Sequence, residues 1–473
     1  MKLVTVNLNF NKLTKLNIIS FVTKFILFLI LFNLQIGCNF KVHLNNKKPG
    51  SGVIAKLPWK YPNQSEYSIQ DVPFYTLNNI SPLRGQAARI IIHPEILSDR
   101  IAGPDFSLKY TLDNENKILP LNRLSAQALV VYAHMENFYF WDRALELPSS
   151  LREQSVVGLD ARIIDSGDVH GSGSYSVNNA QHNGLLRAIL IDPYQETGVP
   201  LSINGGVLAH EHFHALFFDL SFGSILEEFQ KQLVEIEKEN AKKQTTNLMS
   251  HIIEFDNELK INAVDPHRRK SVRTNLKIGK EEFTETELDF FYNLILLKAF
   301  NEGLADVWGW LYTGDADFIS HSLQVVKLKL DGNSRELKLK SLDYPLKSSL
   351  EIRSEIENHK YGVYGAVNEM QYQLGTQLAS TVFKRIVDSE KSLLLNEQQR
   401  NKWSQKIINV VASLKGQFHL LGTNDINFTQ FLKKLIFDDT EVKTLSQEEC
   451  DSWSEFFKSD EKEQILKHLC PAT

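Results

Sequence analysis

The sequence lacks the features that would mark a nucleic-acid-binding, disordered or repeat protein. No block of lysine and arginine is long enough to follow a phosphate backbone, and the formal net charge is only −5 over 473 residues. A nucleic acid is therefore not an expected partner. Internal repeats and low-complexity tracts are absent, and the chain is 42% hydrophobic and 23% charged, which is ordinary globular composition. We expect a folded protein, long enough for two lobes or for a core domain with additions.

Cysteine is scarce, with residues at Cys38, Cys450 and Cys470 alone. If Cys38 is modified, as argued below, the other two remain, and an exported protein can keep such a pair oxidised. A disulfide between Cys450 and Cys470 and a pair of buried thiols are equally consistent with the sequence. The choice depends on distances in the folded chain.

A long apolar run is also missing from the N-terminus. The stretch 25–37 is shorter than the about 20 residues that a membrane-spanning helix needs. Basic residues precede it at Lys2, Lys12, Lys15 and Lys24. We interpret residues 1–37 as an export signal and 38–52 as a polar tether. If Cys38 is not lipidated, the alternatives are a plain signal peptide and an uncleaved anchor.

The end of that stretch, Leu34-Gln35-Ile36-Gly37-Cys38, resembles a bacterial lipobox, in which the cysteine receives a lipid. Gln35 departs from the motif, which usually has leucine there. The resemblance implies an exported protein that a lipid on Cys38 anchors to a membrane of the bacterial cell envelope, at the outer membrane or the periplasmic face.

Hydrophobic periodicity predicts an α+β fold. Short strands are expected over 53–120, most clearly at 88–93, and another over 185–191. Helices are expected over 125–147, with Ser125 as the cap, and from Ser202 or Asn204 to 218. The later pattern is mainly helical, with the strongest segments at 225–253, 285–312, 364–387 and 401–414. These segments predict an N-terminal α/β lobe at 53–220 and a helical C-terminal lobe at 221–473.

The segment His210-Glu211-x-x-His214 lies within the second of these helices. Residues four apart share one helix face, so both imidazoles can reach one metal ion while Glu211 faces its water from a neighbouring angle. His212 points elsewhere. This motif predicts a zinc site in which bound water has a lowered pKa and Glu211 is the general base.

A second segment, Asn301-Glu302-x-x-x-Asp306, offers the third metal ligand that the first segment lacks. Glu302 and Asp306 are also four apart on a helix, so Glu302 can be the third ligand. Asp306 can accept a hydrogen bond from a ligand imidazole. The alternative is that these are two solvated helix carboxylates and that His210 and His214 flank Glu211 by chance.

Together the two segments resemble the signature of gluzincin zinc metallopeptidases of the thermolysin and fungalysin group. The resemblance implies a zincin-like fold, a peptide or protein substrate and hydrolysis of peptide bonds by zinc-bound water. It also implies that Asn179 and Ala180, in a segment similar to the family's substrate-binding edge strand, contact the substrate backbone. Asn301-Glu302-Gly303 is similar to metallo-aminopeptidases too, so endopeptidase and aminopeptidase activity both stay open.

The chain departs from that group in two respects. Residues 215–301 separate His214 from Glu302, several times the gap usual in thermolysin, which predicts an inserted segment near 225–280 that could cover the cleft. The segment 362–368 resembles the stretch that supplies the family's transition-state donor, with Tyr364 where thermolysin has histidine. His359 and Tyr361 are nearby substitutes, and Tyr364 is otherwise a packing residue.

Two functions other than catalysis fit parts of this pattern. A surface lipoprotein could hold zinc and bind peptides or protein partners without cutting them, although it would have no need of Glu211 beside the metal. A purely structural envelope protein would leave the whole ligand set unexplained.

Overall fold

A computed structural model gives the fold of most of the chain. It describes residues 52–62, 64, 66–96, 101–148, 151, 153–162, 177–184, 186–243, 283–323, 337–338, 349–359, 362–421 and 434–435, and only the backbone of 96, 236–243, 349–350 and 364. The predicted signal peptide, the tether up to residue 51, Cys38, Cys450 and Cys470 lie outside the described residues. All of the described residues belong to the contact unit Gly52–Thr473.

The fold is a mixture of helices and sheets, as the sequence predicted. Its strands are β1 Val53–Trp59, β2 Ser68–Phe74, β3 Leu77–Asn79, β4 Arg84–Gly85, β5 Ala88–Ile92, β6 Glu95–Ile96, β7 Ile101–Ala102, β8 Tyr110–Leu112, β9 Ile118–Pro120, β10 Ser155–Leu159, β11 Ala180–Asn183 and β12 Ala188–Ile191. Its helices are α1 Arg123–Ala144, α2 Gly205–Phe217, α3 Gly223–Lys243, α4 Glu285–Thr313, α5 Ser349–Asn358, α6 Gly362–Glu390 and α7 Glu397–Leu414.

Among the described residues, the larger sheet has six strands in the order β11-β12-β10-β5-β4-β3. Strands β12, β10 and β5 are parallel, and β11 runs antiparallel to β12 with Ala180 opposite Ile191. The near-continuous apolar runs of β5 and β12 suit strands that are covered on both faces. β11 ends the strand order, so it forms one edge of this sheet. A separate sheet has the order β2-β1-β9-β8, and β6 pairs with β7.

Helix α1 begins earlier than predicted, because Asn122 and not Ser125 is its cap. The Asn122 side chain accepts a hydrogen bond from the Ser125 backbone N–H at 2.8 Å. Ser125 is fully buried in the first turn, where its hydroxyl accepts from the Lys109 backbone N–H. Asn and Ser cap helices about equally well, so packing outside the helix decides which one leaves the helical conformation.

The start of α2 depends on Asn204, the second of the two predicted caps. Its side-chain oxygen accepts hydrogen bonds from the backbone N–H groups of Gly206 and Val207. Its amide nitrogen donates to the carbonyl of Phe318 at 2.6 Å and to the hydroxyl of Ser322 at 2.8 Å. One buried amide therefore fixes α2 at its first turn to the segment that follows α4.

Helix α2 continues into α3 through a π-helical turn, Phe218–Phe222. The predicted boundary between lobes at residue 220 falls in this turn, and the two-lobe division stays a prediction. The first part of the predicted insertion is α3, whereas residues 244–282 lie outside the described part of the chain.

Helix α4 lies in the centre of the helical part of the fold. A capping box between Thr284 and Glu287 begins it, and Gly314 ends it in a left-handed conformation with φ 69°. It crosses α6 at two glycines: a Cβ atom added to Gly303 would lie only 2.4 Å from the carbonyl oxygen of Gly375. Only glycine permits the two backbones to come this close.

The remaining predicted helices agree with α4, α6 and α7, with ends that differ by a few residues. Among the described helices, none is both long enough and apolar enough to cross a membrane.

We expect Asn204→Ala to lower the free energy of unfolding by about 3 kcal/mol, because it removes a helix cap and leaves buried groups without partners. Asn396→Ala is the matched control: Asn396 also caps a helix, α7, but is exposed, and its loss should cost about 1 kcal/mol. Equilibrium urea unfolding measures both. Equal losses would show that the bonds to Phe318 and Ser322 contribute nothing.

Candidate metal centre

Two imidazoles on α2 point at each other. His210 and His214 are four residues apart, so they share one face of the helix. Their Nε2 atoms are 2.9 Å apart, and their rings are nearly perpendicular at 85°. His210 is 6% exposed, so this meeting point is largely shielded from water.

The other nitrogen of each ring is held by α4. His210 Nδ1 lies 3.0 Å from an Asp306 carboxylate oxygen, and His214 Nδ1 lies 2.9 Å from the side-chain oxygen of Asn301. Both oxygens accept hydrogen bonds, so each Nδ1 carries a proton and donates it. In neutral rings the two Nε2 lone pairs then face each other, which a cation between them stabilises.

Carboxylates surround the two Nε2 atoms. The oxygens of Glu302 lie 3.6 Å from His210 Nε2 and 3.7 Å from His214 Nε2. Glu211 forms a group of its own with the two imidazoles, since its carboxylate and the two rings offer ligand atoms that all lie within 4.8 Å of one another. Two imidazoles and acidic oxygens at this spacing form a group that can hold a metal ion.

The pairing also fixes the geometry of the helices. His210 meets Asp306 while His214 meets Asn301, so α2 and α4 run in opposite directions. Glu302 lies one turn before Asp306 on the same face of α4 and therefore points at the histidine pair. The predicted grouping of His210, His214, Glu302 and Asp306 is what the structure brings together.

Sequence reasoning did not give Asn301 a role. It precedes the acidic residue of the second motif and lies about 100° from Glu302 around α4. The sequence places Asn301 directly before Glu302, which indicates that its amide lies near the site. Only the crossing of α2 over α4 shows that the amide meets His214.

His212 points away from this centre, as its place in the helix predicted. Its Nε2 lies 3.0 Å from a carboxylate oxygen of Asp142 on α1, and its ring stacks on Phe138 at 4.6 Å. Asp142 and His212 are 3% and 7% exposed. This buried pair fastens the back of α2 to α1, a contact that nothing in the sequence indicated.

The predicted substrate-binding segment lies at the edge of the six-stranded sheet. Ala180 begins β11, and the Asn179 carbonyl accepts from the Asp192 backbone N–H at 2.9 Å. Further along β11, burial and the nearby His214 and His212 lower the pKa of His182 to about 3, so that imidazole is neutral near pH 7. Substrate contact by Asn179 and Ala180 stays a prediction.

The predicted transition-state donor is not placed. Tyr364 lies in the first turn of α6, but its side chain and all of Tyr361 fall outside the described residues. His359, the other substitute, lies with its Nε2 3.1 Å from a carboxylate oxygen of Glu369.

We expect the full chain to bind one metal ion and Glu302→Ala to lose it. Asp306→Ala should weaken binding about 10- to 100-fold, because the His210 ring loses the acceptor that orients it, and Asp306→Asn should be milder because its amide oxygen still accepts. Chelator-competition titration measures all three. Asp388→Asn on the exposed surface of α6 is the control. A parent chain without metal would contradict the whole series.

We expect Asp142→Leu to destabilise the fold by about 1 to 3 kcal/mol, because the buried His212 ring loses its partner. Asp142→Asn keeps an acceptor oxygen and should retain most of the stability that Asp142→Leu loses. Urea unfolding gives the stability, and the visible spectrum of a cobalt-substituted form reports whether the metal geometry shifts as well. An unchanged spectrum in a destabilised Leu variant would limit the pair to a purely structural role.

No protein-family model matches the chain, and no curated protein matches it. The resemblance to gluzincins stays a prediction from the two sequence motifs.

Proposed function

We propose that this chain is a zinc-dependent metallopeptidase, with zinc held by His210, His214 and Glu302. The observation that carries the proposal is the arrangement of the two Nε2 atoms, 2.9 Å apart beside the Glu302 carboxylate. Because each Nδ1 keeps its proton and donates it to Asp306 or Asn301, both rings can present an unprotonated Nε2 to the same point.

Zinc is the metal that fits these donors best. Two imidazole nitrogens and one carboxylate are a ligand set that zinc takes at catalytic sites, where a fourth position is kept open. Nitrogens that each lie about 2.05 Å from a tetrahedral zinc ion are about 3.3 Å apart. The observed 2.9 Å needs only a small spreading of the rings.

Glu302 is a better third ligand than Glu211. Its carboxylate lies beside both ring nitrogens, and it belongs to a second helix that packs against the first. Glu211 follows His210 directly, so its side chain leaves the helix about 100° around from the ligand face. That direction suits a base beside the site.

Zinc held by His210, His214 and Glu302 would supply Lewis-acid chemistry, which lowers the pKa of a water molecule to about 7 and polarises a peptide carbonyl. The Glu211 carboxylate takes a proton from the attacking water and delivers it to the amine nitrogen as the peptide C–N bond breaks. Glu211 is 5% exposed, so few bulk water molecules compete for that proton.

A peptide substrate suits the edge strand β11. An extended peptide can add to a sheet edge by backbone hydrogen bonds, which bind it with little regard to its side chains. Ala180, the first residue of β11, is only partly buried. We propose that Asn179 and Ala180 bind substrate backbone in this way.

We also propose that the enzyme is exported and lipid-anchored through Cys38. The basic residues before the apolar stretch 25–37 and the cysteine directly after it support this location. The tether at 38–52 would then hold the catalytic part away from the membrane.

We expect Glu211→Gln to lower kcat/KM for peptide cleavage by about 10³-fold while zinc stays at one ion per chain, because glutamine cannot accept the proton. The measurement is peptide-library cleavage alongside metal content, with Glu227→Gln on the exposed face of α3 as the matched control. A zinc-loaded parent that binds but does not cleave any peptide would instead support the binding lipoprotein. A parent that neither binds zinc nor cleaves would contradict the proposal.

A further inference from the structure

Solvent reaches the central helix at few places. Between Phe290 and Leu311, a range that the structure describes without a gap, every residue of α4 is buried except three. Those three are Lys298, Asn301 and Glu302. Solvent therefore reaches this part of α4 over little more than one turn, and one of the residues it reaches is a lysine.

Two of these residues already have partners in the metal centre. Asn301 binds His214, and Glu302 lies against both imidazoles. Lys298 lies one turn before Glu302, at i and i+4, so it projects from the same side of α4. Lys298 therefore lies one helical turn from the proposed zinc ligand Glu302 without belonging to the ligand set.

Lys298 is largely surrounded by other residues but remains partly exposed to solvent. Desolvation lowers the pKa of its ammonium group, and the negative charge of Glu302 opposes this shift. Within the described part of the chain, no hydrogen bond or salt bridge joins Lys298 to another side chain. A partly desolvated cation in this position is stabilised by an anion that arrives with the ligand.

We propose that Lys298 binds a carboxylate of the peptide substrate, either an acidic side chain next to the scissile bond or a free C-terminal carboxylate. This inference rests on the proposed peptidase function. The recognising chemistry is the same for both sources, because each offers an oxygen anion to an ammonium donor. The lysine also disfavours aminopeptidase activity, because its positive charge would repel the α-ammonium group of a substrate bound beside it.

A competing role for Lys298 is to balance the charge of Glu302. In that case its loss would weaken metal binding and affect acidic and neutral peptides alike. Recognition of the substrate predicts a different result, in which the loss depends on whether the peptide carries the carboxylate.

The test uses matched peptides and the zinc-loaded full chain. One pair has Glu or Gln beside the scissile bond, and a second pair has a free or an amidated C-terminus. We expect the parent to prefer the charged member of one pair by about 10-fold in kcat/KM, mainly through KM, and the preference to fall at high salt. The pair that shows the preference identifies the source of the carboxylate.

Three variants complete the test. Lys298→Met should bring the charged-to-neutral ratio close to one, Lys298→Arg should keep part of it, and Lys231→Met on the exposed face of α3 is the matched control. Fluorescence-polarisation binding of the same peptides to zinc-loaded Glu211→Gln gives a readout that needs no cleavage. The same charged-to-neutral ratio should appear there.

The outcomes separate this inference from the proposed function. Cleavage of both pairs by the parent without preference for charge would overturn the role of Lys298 and leave the peptidase standing. An equal loss for charged and neutral peptides in Lys298→Met, together with weaker zinc binding, would overturn it in favour of charge balance. Zinc-loaded protein that binds charged peptides selectively but cuts none would overturn the peptidase and retain the carboxylate site.

Discussion

The two hydrogen bonds from the Nδ1 atoms of α2 to α4 are the constraint on which the site depends. An imidazole has one useful lone pair, and the partner of its other nitrogen decides where that lone pair points. Asp306 and Asn301 make this choice for His210 and His214. They also fix the antiparallel pairing of the two helices, so the local chemistry and the packing of the core are determined by the same contacts.

The rest of the fold keeps these two helices in place. Asn204 fixes the beginning of α2, Asp142 holds its back through His212, and α6 supports α4 at the Gly303–Gly375 crossing. Each of these contacts involves a group whose burial without a partner would be costly, or a backbone approach that only glycine permits. Rotation of α2 about its axis would break several of them at once, which makes the direction of the imidazoles well defined.

Sequence periodicity predicted the features that depend on the geometry of a single helix. Helix geometry explains why residues four apart, His210 with His214 and Glu302 with Asp306, share a face. Hydrophobic periodicity predicted the α+β class and the long helices. The role of Asn301 and the Asp142–His212 contact depend on how helices cross, and residue spacing contains no information on crossing. Ser125 failed as a cap for a related reason: two good capping residues lay three positions apart, and tertiary packing selected the other one.

The π-helical turn Phe218–Phe222 has a consequence for how this chain can change. A π turn holds one residue more than an α turn, so it sets the rotation of α3 independently of α2. The apolar stripe of α3 depends on that rotation, since Phe229 stacks on Phe290 of α4 at 4.7 Å. Deleting one residue here would rotate α3 by about 100° and turn this stripe away from the core. The length of this turn is therefore a constraint of its own, separate from the packing of its side chains, such as the fully buried Ser221.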